Sequence, residues 1–440
     1  MSALVKDFQT DSFQDNQPQN SPRTPQGRTV LEFIQAIMKD LHPRDFRVAL
    51  WDGSTWEAEA GQPTRFTLKL NSAGALKRML RPPVDISLGE CYAFGDYTVE
   101  GDYYAFISRL GVFGHMKLPL SLKLKYFSLP SDGNAASANL AAQLPSGEHS
   151  KSRDKAAIQF HYDLSNDFYQ LWLDEQMLYS CAYYQSEEQS LEKAQWHKLD
   201  HICRKLRLKP GQTLLDIGCG WGALVMHAAE HYGVQAYGIT LSNNQAALGL
   251  ERVKQRGLEG RVRIEVRDYR DVEDNQFDAV SSIGMAEHVG TALLPTYFKK
   301  MYDVLKMGGT CLNHAISLQP QHIPPARPTF IKKYIFPDSE MQPIGDTLNV
   351  AESVGFEVRD VESLREHYAM TLREWQRRLE ANEAKAKMHV GEERYRMWQM
   401  YLAASAWFFE SGRRTIYQSL LFKGKDEASG LPLTRKDWYA

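Results

Sequence analysis

Cysteine is scarce in this chain of 440 residues: there are five, Cys91, Cys181, Cys203, Cys219 and Cys311, widely spread and with no CxxC pair. That argues against a disulfide framework or a zinc ribbon and fits a reducing cytoplasm. No apolar run approaches the roughly 20 residues needed to cross a bilayer, and the opening residues (MSALVKDFQTDSFQDNQPQNSPRTPQG) lack the apolar stretch of a secretory signal. A cytoplasmic location is therefore expected. Excess charge of either sign is also missing: Lys+Arg 52 against Asp+Glu 54 leaves a formal net charge of -2. Without a whole-chain field, nucleic acid is not expected as a partner. Internal repeats are absent. What remains is an ordinary globular composition, 43% hydrophobic and 24% charged, with length enough for two or three domains.

Four stretches follow from composition. Residues 1–28 are rich in Gln, Asn, Ser, Pro and Asp and read as a disordered leader. Residues 29–128 mix strand-like runs (RVALWDG, TRFTLKLN) with helix-like ones (VLEFIQAIMKDL, YYAFISRL), as a small α+β domain would. Residues 129–152, small and polar with Pro and Gly, read as a flexible linker. Residues 153–440 form the main domain. After Lys209-Pro210-Gly211 the strands TLLDIG, QAYGITL, VRIEVRD, FDAVSSIG and GTCLNHAI alternate with amphipathic helices, the pattern of an α/β fold with a mostly parallel sheet.

The string Asp216-Ile217-Gly218-Cys219-Gly220-Trp221-Gly222 follows an apolar strand and opens a helix. Glycines there let the backbone turn sharply and approach a ligand closely. Dinucleotide sites use GxGxxG with pyrophosphate on the helix N-terminus, whereas this order is D-x-G-x-G-x-G. It resembles the S-adenosylmethionine loop of Rossmann-like methyltransferases. The second strand ends in Gly238-Ile239-Thr240-Leu241-Ser242 without the acid many such enzymes carry there, so the ribose needs other donors. Asp268 and Tyr269, after the third strand, fall where such enzymes meet the adenine edge; a helix N-cap is the alternative for Asp268.

Further strings narrow the resemblance: His161-Tyr162-Asp163-Leu164, Asn166-Asp167-Phe168-Tyr169, Tyr179-Ser180-Cys181-Ala182-Tyr183-Tyr184, Gly284-Met285-Ala286-Glu287-His288-Val289-Gly290 and Lys333-Tyr334-Ile335-Phe336-Pro337. Together they resemble the cyclopropane-fatty-acyl-phospholipid synthases, which include the mycolic acid cyclopropane synthases. The match runs from about Lys155 to Lys423, and more weakly over residues 63–105. The resemblance implies a Rossmann-like class I methyltransferase domain with helical insertions. It also implies that a cis alkene of a phospholipid acyl chain takes the methyl of S-adenosylmethionine, held by Tyr179, Ser180, Asp216, Gly218, Gly220, Gly222, Thr240, Leu241, Gln245, Asp268 and Tyr269. Aromatic faces would steady the resulting carbocation, with Tyr179, Tyr183, Phe330, Tyr334 and Tyr368 as candidates. In this family the base is understood to be a bound bicarbonate, and its holders map onto Cys181, Glu287, His314, Ile316 and Tyr368. Glu287 would accept from the bicarbonate hydroxyl or carry a proton itself. Without the family match, Cys181 would read as a core residue, and for His314 a satisfied core histidine would be an equal alternative.

The pairs His197/His201 and His227/His231 have helical i, i+4 spacing, but no third ligand lies nearby in sequence and no metal is expected. Residues 103–131 carry Arg109, Lys117, Lys123 and Lys125 among Phe106, Leu110, Phe113, Met116, Leu118, Leu120, Leu122, Leu124 and Phe127. They fit either an anionic bilayer surface at the inner face of the membrane or packing against the main domain. A homodimer is left open. Two departures bear on the product. Ala286 replaces a bulky residue, and Asp338-Ser339-Glu340-Met341-Gln342-Pro343 replaces a Gly-rich stretch, both expected at the acyl channel. A ring, or a methyl- or methylene-branched chain, is compatible with them. A small-molecule N-methyltransferase and a non-enzymatic lipid-binding protein are the rival classes.

Overall fold

The computed structural model describes residues 22–113, 120–131, 140–147, 149–323, 329–424 and 429–439. Strands are numbered along the chain. The first four, β1 (Phe46–Ala49), β2 (Thr55–Trp56), β3 (Phe66–Leu70) and β4 (Tyr97–Gly101), form one small sheet in the order β2-β1-β3-β4. Alternation makes this sheet one-sided: Phe66, Leu68 and Leu70 of β3 are buried while Lys69 faces water.

The large sheet has seven strands: β5 (Thr213–Ile217), β6 (Gln235–Thr240), β7 (Val262–Val266), β8 (Phe277–Ile283), β9 (Leu305–Leu318), β10 (Glu357–Ser363) and β11 (Arg414–Phe422). Their order is β10-β11-β9-β8-β5-β6-β7. Pairings among β5 to β9 are parallel, and β11 inserts antiparallel between β9 and β10. The expected α/β class and mostly parallel sheet are what the chain adopts. Central strands such as β5 are apolar runs because helices cover both faces. Serines set the helix starts: Ser190 caps Leu191–Lys205 and Ser242 caps Asn243–Gln255, each accepting from a first-turn N–H.

Three boundaries differ from the sequence reading. A helix, Pro25–Ile37, begins inside the stretch read as a leader, because Pro25 suits a first turn and the Thr24 hydroxyl accepts from Gly27 N–H; residues 1–21 lie outside the described residues. The helix Lys151–Tyr162 likewise begins inside the stretch read as a linker, capped by Ser150. Leu129 is buried and its carbonyl accepts from Lys77 Nζ at 3.0 Å, while residues 132–139 and 148 lie outside the described residues. Finally, β9 continues to Leu318, so His314 lies within a strand and not at its end.

The N-terminal layer shares a core with the long C-terminal helix Glu392–Glu410: Tyr92 Oη donates to Gln399 Oε1 at 2.6 Å, and one apolar cluster runs from Val30 to Ile416. In residues 103–131, Phe106 and Leu122 are buried, Arg109 pairs with Asp45 at 2.9 Å, and Leu124 and Phe127 are exposed. Met116, Lys117 and Leu118 of that segment lie outside the described residues.

Candidate active site

β5 ends in a turn whose Gly218, Gly220 and Gly222 take φ of +81°, +56° and +84°, the left-handed region that a side chain disfavours. Beneath it Asp216 is buried, and its Oδ1 accepts from Ser281 Oγ at 2.7 Å. Burial pushes the Asp216 carboxyl up to about 6, opposed by the Ser281 hydroxyl and the Lys198 ammonium. A cleft of about 100 Å³ opens over this turn. Tyr179, Ser180, Asp216, Gly218, Gly220, Thr240, Leu241, Gln245 and Tyr269 all line it. Thr240 Oγ1 donates to Gln245 Oε1 at 2.7 Å, a buried polar pair where β6 ends and the next helix begins.

Two residues expected there are placed elsewhere. Gly222 is packed rather than exposed to the cleft: a Cβ on it would stand 2.5 Å from Ile264 Cδ1. Asp268 caps a short turn, as its alternative reading expected, and its Oδ2 pairs with Arg270 at 2.6 Å in a recess beside the cleft.

A second cavity, about 120 Å³, adjoins the first. Tyr162, Tyr179, Ser180, Ile283, Gly284 and His288 line both. Cys181, Glu287, His314, Ile316 and Tyr368 all lie on the second cavity's wall, with Ile331, Phe336, Leu372, Tyr401 and Phe409 adding apolar surface. Glu287 sits on the short helix Ala286–Val289 after β8 and its Oε1 accepts from Ile316 N–H at 2.6 Å. That amide, expected to face a small anion, is thus occupied by the carboxylate. Glu287 Oε2 and both ring nitrogens of His314 are buried without a hydrogen-bond partner among the described residues. Gln418, opposite His314 in the β9–β11 pairing, is buried with both amide atoms in the same condition. Burial pushes Glu287 up to about 7 and holds His314 well below the usual histidine range, so the imidazole is neutral. Buried polar groups are rarely left unmatched, and this cluster suits a small polar guest. Cys181 is spent locally, its Sγ 3.2 Å from Ala182 O, and burial pushes its thiol up.

The family model described as mycolic acid cyclopropane synthetase matches residues 149–419. The chain belongs to this family. A domain of unknown function matches residues 33–111. A probable fatty acid methyltransferase of Pseudomonas putida is 38% identical over 418 residues, which cover 93% of this chain and 100% of the relative. Among solved structures, the cyclopropane synthase MmaA2 of Mycobacterium tuberculosis is 33% identical with a TM-score of 0.58, covering 61% of this chain and 97% of its own. The mycolic acid cyclopropane synthase CmaA1, complexed with SAH and CTAB, is 36% identical at the same TM-score and coverage.

As a member of the cyclopropane synthetase family, the chain is an S-adenosylmethionine-dependent methyltransferase. Its cleft fits that cofactor: a Cβ at Gly220 would meet nothing within 4 Å, so bare backbone faces open space where a ligand approaches. Gly222→Ala tests the turn. It places a side chain at φ +84° against Ile264, and a stability loss of about 1–2 kcal/mol with weakened S-adenosylhomocysteine binding is expected by denaturation and calorimetry. Unchanged binding and stability would show the turn tolerates a Cβ.

Several placements were not anticipated. Lys198 is fully buried, lines the cleft and donates from Nζ to Ser180 Oγ at 2.9 Å; burial pushes its ammonium down to about 8. Nothing in the polar helix EKAQWHKLDHICRKL singles it out. Of the aromatics considered for the cation, Tyr179 and Tyr368 line the second cavity. Tyr183 instead stacks between His201 and His367, Phe330 packs on Gly89, and Tyr334 donates to Glu90. Tyr162, Phe336 and Tyr401 take their places on the wall. Ser339 and Met341 line this cavity, as expected of the altered stretch, but Ala286 packs into the core between sheet and helix. His201 Nε2 is 2.9 Å from Glu362, and His227 rests against His231; no group of three metal-ligating side chains occurs among the described residues.

Proposed function

We propose that the enzyme methylates the cis double bond of an unsaturated phospholipid acyl chain, and that loss of a proton then closes a cyclopropane ring. The observation that carries this reading is the junction of the two cavities, where a polar cofactor cleft opens into an apolar chamber whose unmatched polar atoms belong to Glu287 and His314. S-adenosylmethionine in the cleft supplies an electrophilic methyl group. An alkene is a weak nucleophile, so the protein's contribution is to position it, exclude water and steady positive charge. Tyr162, Tyr179, Tyr368 and Tyr401 do the last; burial raises their phenols, which stay neutral and present π-faces worth roughly 2 kcal/mol each when desolvated. His288, lining both spaces, is pushed down to about 4 by burial and adds no opposing charge. Glu287 Oε2 and the His314 ring would hold a bicarbonate, which would supply a base for the surplus proton, with Cys181, Ile316 and Tyr368 shaping its pocket. Leu124 and Phe127, 65% and 75% exposed beside Lys125, give the enzyme an edge for the inner membrane face. No helix among the described residues is long and apolar enough to cross a membrane.

A branched product is the second reading, favoured by the fatty acid methyltransferase of Pseudomonas putida, which aligns over nearly the whole chain. The test is incubation with labelled S-adenosylmethionine, vesicles of cis-monounsaturated phospholipid and a panel of small amines. Label in the acyl chains is expected. Label in amines alone would replace this reading with small-molecule N-methylation.

A further inference from the structure

The lipid cavity floor is a strip of the β9–β11 pairing. His314 stands opposite Gln418, Ile316 opposite Ile416, and Leu318 opposite Arg414. Alternate residues of a strand share a face, so His314 and Arg414 mark two ends of one strip with isoleucines between them. Four residues of strand separate Gln418 from Arg414, roughly 13 Å. That is about the distance from the polar end of an extended acyl chain to a double bond near its middle.

Arg414 itself lines the cavity. Among the described residues its one hydrogen bond runs from Nη1 to the neighbouring carbonyl of Arg413 at 3.3 Å, and its guanidinium lies 5.4 Å from the Phe408 ring centroid. Among the described residues no carboxylate pairs with it. Arg413 stacks on Trp407 at 4.2 Å and adds a second positive charge alongside. Burial and this neighbour both disfavour the Arg414 charge. A cation kept beside an apolar cavity with no anion of its own is costly unless a ligand brings one.

We propose that Arg414 binds the anionic polar end of the lipid substrate, a carboxylate or a phosphodiester, and so sets which carbon reaches His314 and Glu287. The guanidinium fork suits either oxyanion. The inference rests on the second cavity being the acyl site, and the test separates the two. Binding of oleate, oleoyl lysophosphatidylglycerol and oleyl alcohol to full-length protein loaded with S-adenosylhomocysteine is followed by tryptophan fluorescence, for the wild type, Arg414→Gln and Arg414→Lys. Arg414→Gln is expected to weaken one or both anionic lipids about tenfold, with oleyl alcohol unaffected and Arg414→Lys intermediate. Loss for oleate alone identifies a carboxylate, and loss for the lysophospholipid alone a phosphate. Equal weakening of all three, or of none, overturns the assignment, and thermal unfolding of each variant separates misfolding from lost recognition. A retained anion preference without methyl transfer to any oleoyl chain would leave Arg414 as the anion site and refute the proposed reaction instead.

Discussion

Glu287→Gln slows methyl transfer to lipid by about a hundredfold or more while S-adenosylhomocysteine binds about as before. The amide is nearly isosteric, and its oxygen still accepts from Ile316 N–H as Glu287 Oε1 does at 2.6 Å. What changes is the second position. Oε2, buried and unmatched, becomes an NH2 that only donates, whereas the ionised carboxylate, formed as pH passes about 7, accepts at that position. Glu287 lines the second cavity and not the cleft over the glycine turn, so turnover and cofactor affinity separate. Equal loss of both would show that the carboxylate supports the cleft. The same variant carries a stability signature. Burial raises this carboxyl from 4.5 to about 7, so the folded protein holds a proton that the unfolded chain releases across that window. Stability contributed by the protonated acid is complete at low pH and falls as pH rises towards 7, by roughly 3 kcal/mol at the outside. Gln does not titrate. The difference in stability between Glu287→Gln and wild type therefore shifts in favour of the variant from pH 5 to pH 8. A pH-independent difference would mean that Glu287 is ionised throughout.

Trp375→Ala costs about 3–5 kcal/mol of stability and, beyond that, activity. Trp375 is wholly buried on the helix Arg365–Ala381, with ring centroids at 5.2 Å from Tyr179, 5.7 Å from Trp172 and 6.0 Å from Tyr368. It backs two rings that line the second cavity. Removing it leaves a void whose lining relaxes only in part, and Tyr179 and Tyr368 lose the wall that fixes them. Chemical denaturation reads the first effect, and kcat in the surviving folded protein the second. Trp375→Phe retains most of the ring and should recover most of both. A loss below about 1 kcal/mol for the alanine variant would show that the aromatic layer is loosely packed.

Five strands of the large sheet, β5 to β9, were legible because they are largely apolar runs punctuated by glycine and serine caps, signals that local chemistry alone imposes, whereas the more polar β10 and β11 were not read as strands. The glycine turn was legible for the same reason. The residues that give the second cavity its shape were harder. Tyr162 and Tyr401 are 239 positions apart in sequence (401 less 162), and only the fold brings them onto one wall. Lys198 lies in a polar helix where sequence suggests a solvated face, yet the helix turns it towards Ser180. Asp268 shows the opposite case: a carboxylate in a ligand-binding position is claimed by Arg270, two residues along. Arg414 opens a strand of mixed polar and apolar residues, and its significance appears only from its register with Leu318.

The most direct measurement uses S-adenosylmethionine bearing a trideuterated methyl group, cis-monounsaturated phospholipid vesicles and mass spectrometry of the acyl chains. Ring closure after proton removal beside Glu287 and His314 leaves two deuterium atoms in each product chain and no alkene. Retention of all three in a methyl branch would contradict ring closure, and acyl chains without deuterium would contradict lipid methylation altogether.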